Sequence, residues 1–262
     1  MPVPVSPIAF SIGSWDLRWY TLLISLAMII ALWLGTREMR RRGMNEEFMM
    51  DAMLWALPAG IIGARVYYVL FHWDIYSQLP WQSSFAIWEG GIAIHGALFA
   101  AIPTAWFYAK RRGIAPLPYL DIALPCMALA QSIGRWGNWF NQEAYGAPTD
   151  LPWGMLIDGV AYHPAFLYES LWDLLLFVIL WQVSRRFIAS PGFTSAGYLY
   201  GYSLGRLWIE ELRLDSEWIG PLKAASVWSV LGIIIGGYLM YRLRKTRSIA
   251  DPQAGEPCPD GE

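Results

Sequence analysis

The sequence predicts an all-α polytopic membrane protein: seven transmembrane helices, amino terminus outside, carboxyl terminus cytoplasmic, and a small extracytoplasmic head. Three observations predict it. Of the 262 residues, 56% are hydrophobic and only 15% charged, whereas a soluble domain averages about 25% charged residues. Apolar runs such as "YTLLISLAMIIALWLG" (20–35), "AFLYESLWDLLLFVILW" (165–181) and "SVWSVLGIIIGGYLMY" (226–241) approach the roughly 17–25 residues of a bilayer-crossing helix. The basic residues, finally, collect on alternate loops.

Taken in order, the predicted spans are residues 20–36, 49–71, 92–109, 118–138, 164–183, 196–213 and 224–241. The opening "MPVPVSPIAFSIGSWDLRWY" has no basic lead and no apolar core before a small-residue cleavage site, so no cleaved signal peptide is expected. "REMRRR" follows the first span, "KRR" the third, "RR" the fifth and "RLRKTR" the seventh, together thirteen of the nineteen Lys and Arg. Loops 72–91 and 143–163 contain none. The positive-inside rule then orients the chain. Residues 1–247 form one membrane domain with a head at about 143–163, and the Pro/Gly/acid-rich segment 248–262 reads as a disordered cytoplasmic tail. Cys126 falls within a span and Cys258 in the tail, which gives neither a disulfide framework nor a metal spacing. No internal repeat is evident.

Six basic residues remain: Arg18, Arg65, Arg135, Arg206, Arg213 and Lys223. Run in its assigned direction, each of spans two, four and six puts its arginine (Arg65, Arg135, Arg206) in its outer half. His95 begins span three and Tyr20 span one, while Asn138 and Asn141 close span four. A central arginine costs about 2.5–3.5 kcal/mol to insert. Three scattered lipid-facing arginines would be a standing penalty, whereas three around one anionic group would be a site. Taken singly, Arg65 could snorkel to the headgroups, Arg206 could pair with Glu210 on the face it shares with Tyr202, and His95 and His163 could be helix-end residues. The shared outer depth favours the joint, functional reading. Gly90, Gly91 and Gly96 around His95, and Gly134 and Gly137 around Arg135, allow close approach of a ligand or backbone.

Paired guanidinium groups suit a phosphate, which they bind bidentately while staying charged. In a bilayer that phosphate is a phospholipid headgroup. No paired-Asp cluster lies in a span, and neither a P-loop nor a Gly-x-Ser-x-Gly elbow appears. The residues alone thus reach a metal-free membrane protein that handles an anionic phospholipid, with no nucleic-acid partner. A transporter or flippase is the rival, since intramembrane Arg and His also line substrate paths. Against it, the polar groups share one depth rather than crossing the membrane.

"GRWGNWFNQEAYG" resembles the signature of the bacterial prolipoprotein diacylglyceryl transferases through Gly134, Arg135, Gly137, Asn138, Asn141, Glu143 and Gly146. The likeness extends to "RWY", "GARVYYVLF", "GGIAIHGAL", Asp121, "YHPAFLYE" and "YSLGRLWIEELR". Gly96–Ala97 stands where the family usually has Gly-Gly, which would slightly crowd the pocket, and "WIGPLKAASV" departs from a common Gly-Gln stretch. The resemblance implies transfer of the diacylglyceryl group of phosphatidylglycerol to the lipobox cysteine thiol of a preprolipoprotein. A thioether and glycerol phosphate result, without cofactor or metal, in the bacterial cytoplasmic (inner) membrane with the active site toward the outer leaflet. It assigns catalytic roles to Arg135 and Arg206, which hold the phosphate, and to His95 as general base, with burial keeping its imidazole neutral. Substrate-binding roles fall to Tyr20, Arg65, Asn138, Asn141, Glu143, Gly146, Tyr202 and Glu210, the last fixing the Arg206 rotamer.

Overall fold

The computed structural model describes residues 6–13, 15–87, 90–188, 190–214, 216, 218–219 and 221–250. The order is β1 (Ile8–Ile12), β2 (Trp15–Arg18), α1 (Trp19–Arg41), α2 (Glu47–Phe71), α3 (Trp73–Tyr76), a 3₁₀ turn (Trp81–Phe85), α4 (Ile94–Arg111), α5 (Pro116–Asn141), β3 (Met155–Ile157), β4 (Val160–Tyr162), α6 (Ala165–Arg186), α7 (Phe193–Glu210), β5 (Trp218–Ile219), β6 (Leu222–Lys223) and α8 (Ala224–Ala250). Each predicted span coincides with one long helix. Of these, α1, α2, α6 and the Ala224–Arg244 part of α8 are long and apolar enough to cross a membrane. Helices α5 and α7 carry Arg135 and Arg206. Large apolar side chains such as Ile29, Leu54, Phe99 and Ile234 face outward, as lipid-facing residues do. The tail lies outside the described residues from 251 onward, and α8 continues to Ala250.

The chain divides into two compact units, Met1–Gly35 with Leu120–Glu262, and Thr36–Tyr119. In the second unit, α2 and α4 cross through small residues. A Cβ on Gly63 would lie 2.5 Å from the Gly96 carbonyl oxygen, so only glycine permits this approach. Ala97 packs on the same seam, its Cβ 4.0 Å from where a Cβ on Gly60 would stand, so the expected crowding of a pocket is instead a helix–helix contact. The turn after α1 is tied by Glu38, which is buried and bonded to Arg41 at 2.6 Å and Arg42 at 2.9 Å. Arg40 grips Glu46 at 2.7 Å and holds that carboxyl below its usual range.

In the first unit, α7 and α8 cross on glycines. A Cβ at Gly236 would come within 2.8 Å of the Tyr200 backbone nitrogen. Ala128, Leu176 and Leu180 form the buried centre, flanked by Phe177, Tyr198 and Tyr202. Helices α5 and α6 are clasped by reciprocal bonds, Ser132 Oγ–H to the Ser170 carbonyl (2.8 Å) and Ser170 Oγ–H to the Ser132 carbonyl (2.9 Å). Trp172 Nε1–H donates to the Gly201 carbonyl at 2.9 Å and links α6 to α7. Helix α7 starts three residues before the predicted span because Gly192 turns with φ 92° and Asp121 of α5 caps the helix. The Asp121 carboxylate accepts from Gly192 N–H (2.6 Å), Ser195 N–H (2.7 Å) and Ser195 Oγ–H (2.6 Å). Within the predicted head, β3 and β4 form a hairpin. Asp158 (φ 49°) and Gly159 (φ 83°) supply the two positive-φ residues a tight hairpin loop needs.

Candidate active site

Arg135 lies on α5 and Arg206 on α7, and α6 between them supplies the acid they share. Glu169 is 3% exposed. Its Oε2 sits 2.7 Å from Arg135 Nη1 as an ion pair off the line of a hydrogen bond. Its Oε1 accepts a short hydrogen bond from Arg206 Nη1, and Arg213 Nη1 approaches the same oxygen at 3.3 Å. Arg206 Nη2 also meets Glu210 Oε2 at 2.7 Å, one helical turn on, the expected pair. Glu210 is buried, and its backbone carbonyl accepts a 2.7 Å bond from Lys223 Nζ, a cation at the carboxyl end of α7 where the helix dipole favours one.

These groups line a half-open pocket of about 200 Å³ counting its mouth, of which only about 10 Å³ is wide enough for a water. Arg135, Glu169, Trp172, Asp173, Tyr202 and Arg206 form its wall. Both arginines are about one-fifth exposed, so they stay reachable. A single carboxylate thus sits between two guanidinium groups on the wall of a narrow pocket.

The signature segment is ordered around Glu143. Asn138 Nδ2–H and Asn141 Nδ2–H donate to Glu143 Oε1 at 2.9 and 3.1 Å. Gln142 and Ala144, on either side, both take φ 56°, a strained left-handed backbone for residues with a Cβ. Gly146 allows close packing. Its N–H donates to the His163 carbonyl at 2.8 Å, and a Cβ there would stand 2.5 Å from the Leu212 carbonyl oxygen. Gly137 likewise gives room to Tyr20, whose Cδ2 would be 2.5 Å from an added Cβ. His163 Nδ1 is 3.2 Å from Tyr168 Oη at the start of α6.

Arg65 and His95 belong to the second unit. Arg65 is buried, and its guanidinium donates to four backbone carbonyls: Ser83 (2.7 Å), Ser84 (3.0 Å), Gly90 (2.7 Å) and Gly91 (2.8 Å). It organises the loop ahead of α4 within that unit. His95 lies in the first turn of α4 with its ring 6.0 Å from that of Tyr67. It is exposed, which corrects the expectation that it is buried. Sequence reasoning missed Glu169 and Asp173. The signal available was two acids one turn apart in an otherwise apolar run, "YESLWD".

The chain matches the family model for prolipoprotein diacylglyceryl transferase over residues 7–242. It is 43% identical to the phosphatidylglycerol–prolipoprotein diacylglyceryl transferase of Gloeobacter violaceus over 91% of this chain and 93% of that protein. It is equally identical, at 43%, to the enzyme of that name from Lysinibacillus sphaericus, over 93% of this chain and 94% of the relative. The Synechocystis enzyme of that name is 44% identical over 88% and 86%. With a family model spanning nearly its whole length and relatives this similar, the chain belongs to the prolipoprotein diacylglyceryl transferase family.

Proposed function

We propose that this protein transfers the diacylglyceryl group of phosphatidylglycerol to the lipobox cysteine of preprolipoproteins, the first step of lipoprotein maturation in a bacterial cytoplasmic membrane. All seven long helices cross the bilayer, with the amino terminus outside and the active site toward the outer leaflet. One observation carries the chemistry: Arg135 and Arg206 converge from different helices on a single carboxylate. Two guanidinium groups aimed at one anion are the arrangement a phosphodiester needs.

The lipid phosphate takes the place of the Glu169 carboxylate between Arg135 and Arg206, and Glu210 keeps Arg206 aimed. His95 accepts the thiol proton, since a thiol of pKa about 8.5 is a poor nucleophile until it ionises. The sulfur attacks the glyceryl carbon that carries the phosphate ester. A carbon–sulfur bond forms, the carbon–oxygen bond breaks, and its electron pair stays on the phosphate oxygen. The two arginines stabilise that growing charge. Tyr20, Tyr202, Gly146 and the Asn138–Asn141–Glu143 group bind and orient lipid and peptide, and Arg65 takes part through the loop that it holds ahead of α4.

The test combines purified protein, phosphatidylglycerol and a peptide carrying a lipobox cysteine, and weighs the peptide. A mass gain of one diacylglyceryl group is expected. With Arg135→Lys or Arg206→Lys the rate should fall about 10²–10³-fold, the usual loss for one donor at a developing oxyanion, because a lysine cannot reproduce the guanidinium fork. Near wild-type rates in both variants would dismiss the phosphate clamp.

A further inference from the structure

Asp173 lies on α6 one turn beyond Glu169 and is 3% exposed. It lines the same pocket as Arg135, Arg206 and Tyr202. Its Oδ2 is buried and has no hydrogen-bond partner among the described residues. Both arginines give their contacts to Glu169 and Glu210 instead. A buried acceptor without a donor is unfavourable unless a ligand brings one.

What that ligand offers follows from charge. A phosphate oxygen is itself an acceptor and offers Asp173 Oδ2 no donor, whereas a hydroxyl does. A donor attached a few bonds from a phosphate fits both halves of the pocket at once. The headgroup of phosphatidylglycerol is such a group, a phosphodiester carrying glycerol hydroxyls. We propose that Asp173 is a specificity-determining residue whose Oδ2 accepts a hydrogen bond from a headgroup glycerol hydroxyl, so that the arginines read the phosphate and Asp173 reads the alcohol. This rests on the transferase function above and adds the feature by which one anionic phospholipid is told from another.

A lipid that keeps the phosphodiester and lacks the hydroxyls separates the two halves. Phosphatidylethanol is that probe. A site built around a substrate hydroxyl rejects the analogue without it by up to about 10⁴-fold, so wild-type protein should use phosphatidylglycerol far faster than phosphatidylethanol. In Asp173→Ala the rate with phosphatidylglycerol should fall at least about tenfold, the scale of one lost hydrogen bond, with the phosphatidylethanol rate little changed. The ratio between the two lipids therefore collapses. Asp173→Asn keeps an acceptor oxygen and most of the side-chain volume, so it should retain part of the preference, and it serves if the alanine variant does not fold. Equal use of the two lipids by wild-type protein overturns the proposal, and so does an unchanged ratio in either folded variant. Failure of wild-type protein to modify the peptide with phosphatidylglycerol at all would strike the transferase function instead.

Discussion

Glu169 on α6 and Arg135 on α5 approach to 2.7 Å, and the same carboxylate reaches Arg206 and Arg213 through its other oxygen. One acid thus holds three cations, one from α5, one from α7 and one just beyond α7. In the proposed mechanism the lipid phosphate takes the place of this carboxylate, since both are anions that suit a guanidinium pair.

Removing the acid should therefore be costly. Breaking a buried pair by deleting one partner typically costs about 3–5 kcal/mol, and the partial exposure of Arg135 and Arg206 places the expected loss toward the lower end. Glu169→Ala should melt well below wild type in detergent, and Glu169→Gln, which keeps the shape, should melt between the two. Thermal unfolding followed by tryptophan fluorescence measures both. Wild-type melting in the alanine variant would mean that the three arginines do not depend on Glu169.

The carboxylate of Asp121 sets the start of α7, and hence the axial position of Arg206 farther along that helix. Losing a helix cap costs about 0.5–2 kcal/mol, and the buried N–H groups left behind add to it. Asp121→Ala should lower both stability and transfer rate, while Asp121→Asn, with one acceptor oxygen, should lose less of each. Full stability and rate in Asp121→Ala would show that the amino-terminal bonds of α7 are dispensable.

The helical elements were legible because apolar runs of spanning length carry their own signal. Their ends were less so. Helix α1 was expected to stop at residue 36 and runs to Arg41, because the basic segment after the apolar run favours helix as well as water. The pairing of Arg206 with Glu210 was legible because it is local, four residues apart on one helix. Glu169 was not, because its partners lie 34, 37 and 44 positions away, on the neighbouring helices and just beyond α7, and only helix rotation decides which acid faces which arginine. The contacts of Arg65 were hidden for the same reason. Its partners are carbonyls 18 to 26 residues away in an irregular loop, and no side-chain pattern announces a carbonyl.

Two glycines of the signature segment make opposite predictions. A Cβ at Gly137 would stand 2.5 Å from Tyr20 Cδ2, whereas a Cβ at Gly134 would meet only Ile24 Cγ1 at 3.9 Å. Gly137→Ala should push Tyr20 out of place at an overpacking cost of about 1–3 kcal/mol and slow transfer. Gly134→Ala should be neutral or stabilise by up to about 1 kcal/mol, the helical preference of alanine over glycine. Melting temperatures of the two variants, compared side by side, check the difference. Equal effects would mean that α1 and α5 do not meet at Gly137.

The orientation can be tested with Thr149 in the predicted head and Thr246 beyond the seventh apolar run. In a background carrying Cys126→Ser and Cys258→Ser, Thr149→Cys should react with a membrane-impermeant thiol reagent added outside intact cells, and Thr246→Cys only after lysis. The basic-loop bias is the cause. External reaction at Thr246→Cys with protection at Thr149→Cys would invert the chain and put the pocket on the wrong face.

The proton step of the proposed mechanism rests on His95. It is exposed in the first turn of α4, its ring 6.0 Å from that of Tyr67, so its imidazole is accessible to an incoming thiol. Glu169 and Glu210 are poorer candidates, because each is engaged by arginine. Loss of a general base typically costs about 10²–10⁴ in rate, whereas loss of an exposed packing residue alters stability by less than about 0.5 kcal/mol. His95→Gln and His95→Asn should therefore melt like wild type and bind phosphatidylglycerol, yet turn over slowly at neutral pH. The sign of the pH effect follows from the thiol, which ionises unaided as pH approaches its value of about 8.5, so the deficit should shrink as pH rises. Rate measured from pH 6.5 to 9 for both variants decides it. Full activity at neutral pH would move the proton to water or to another group, and a deficit that stayed constant with pH would make His95 a positioning residue.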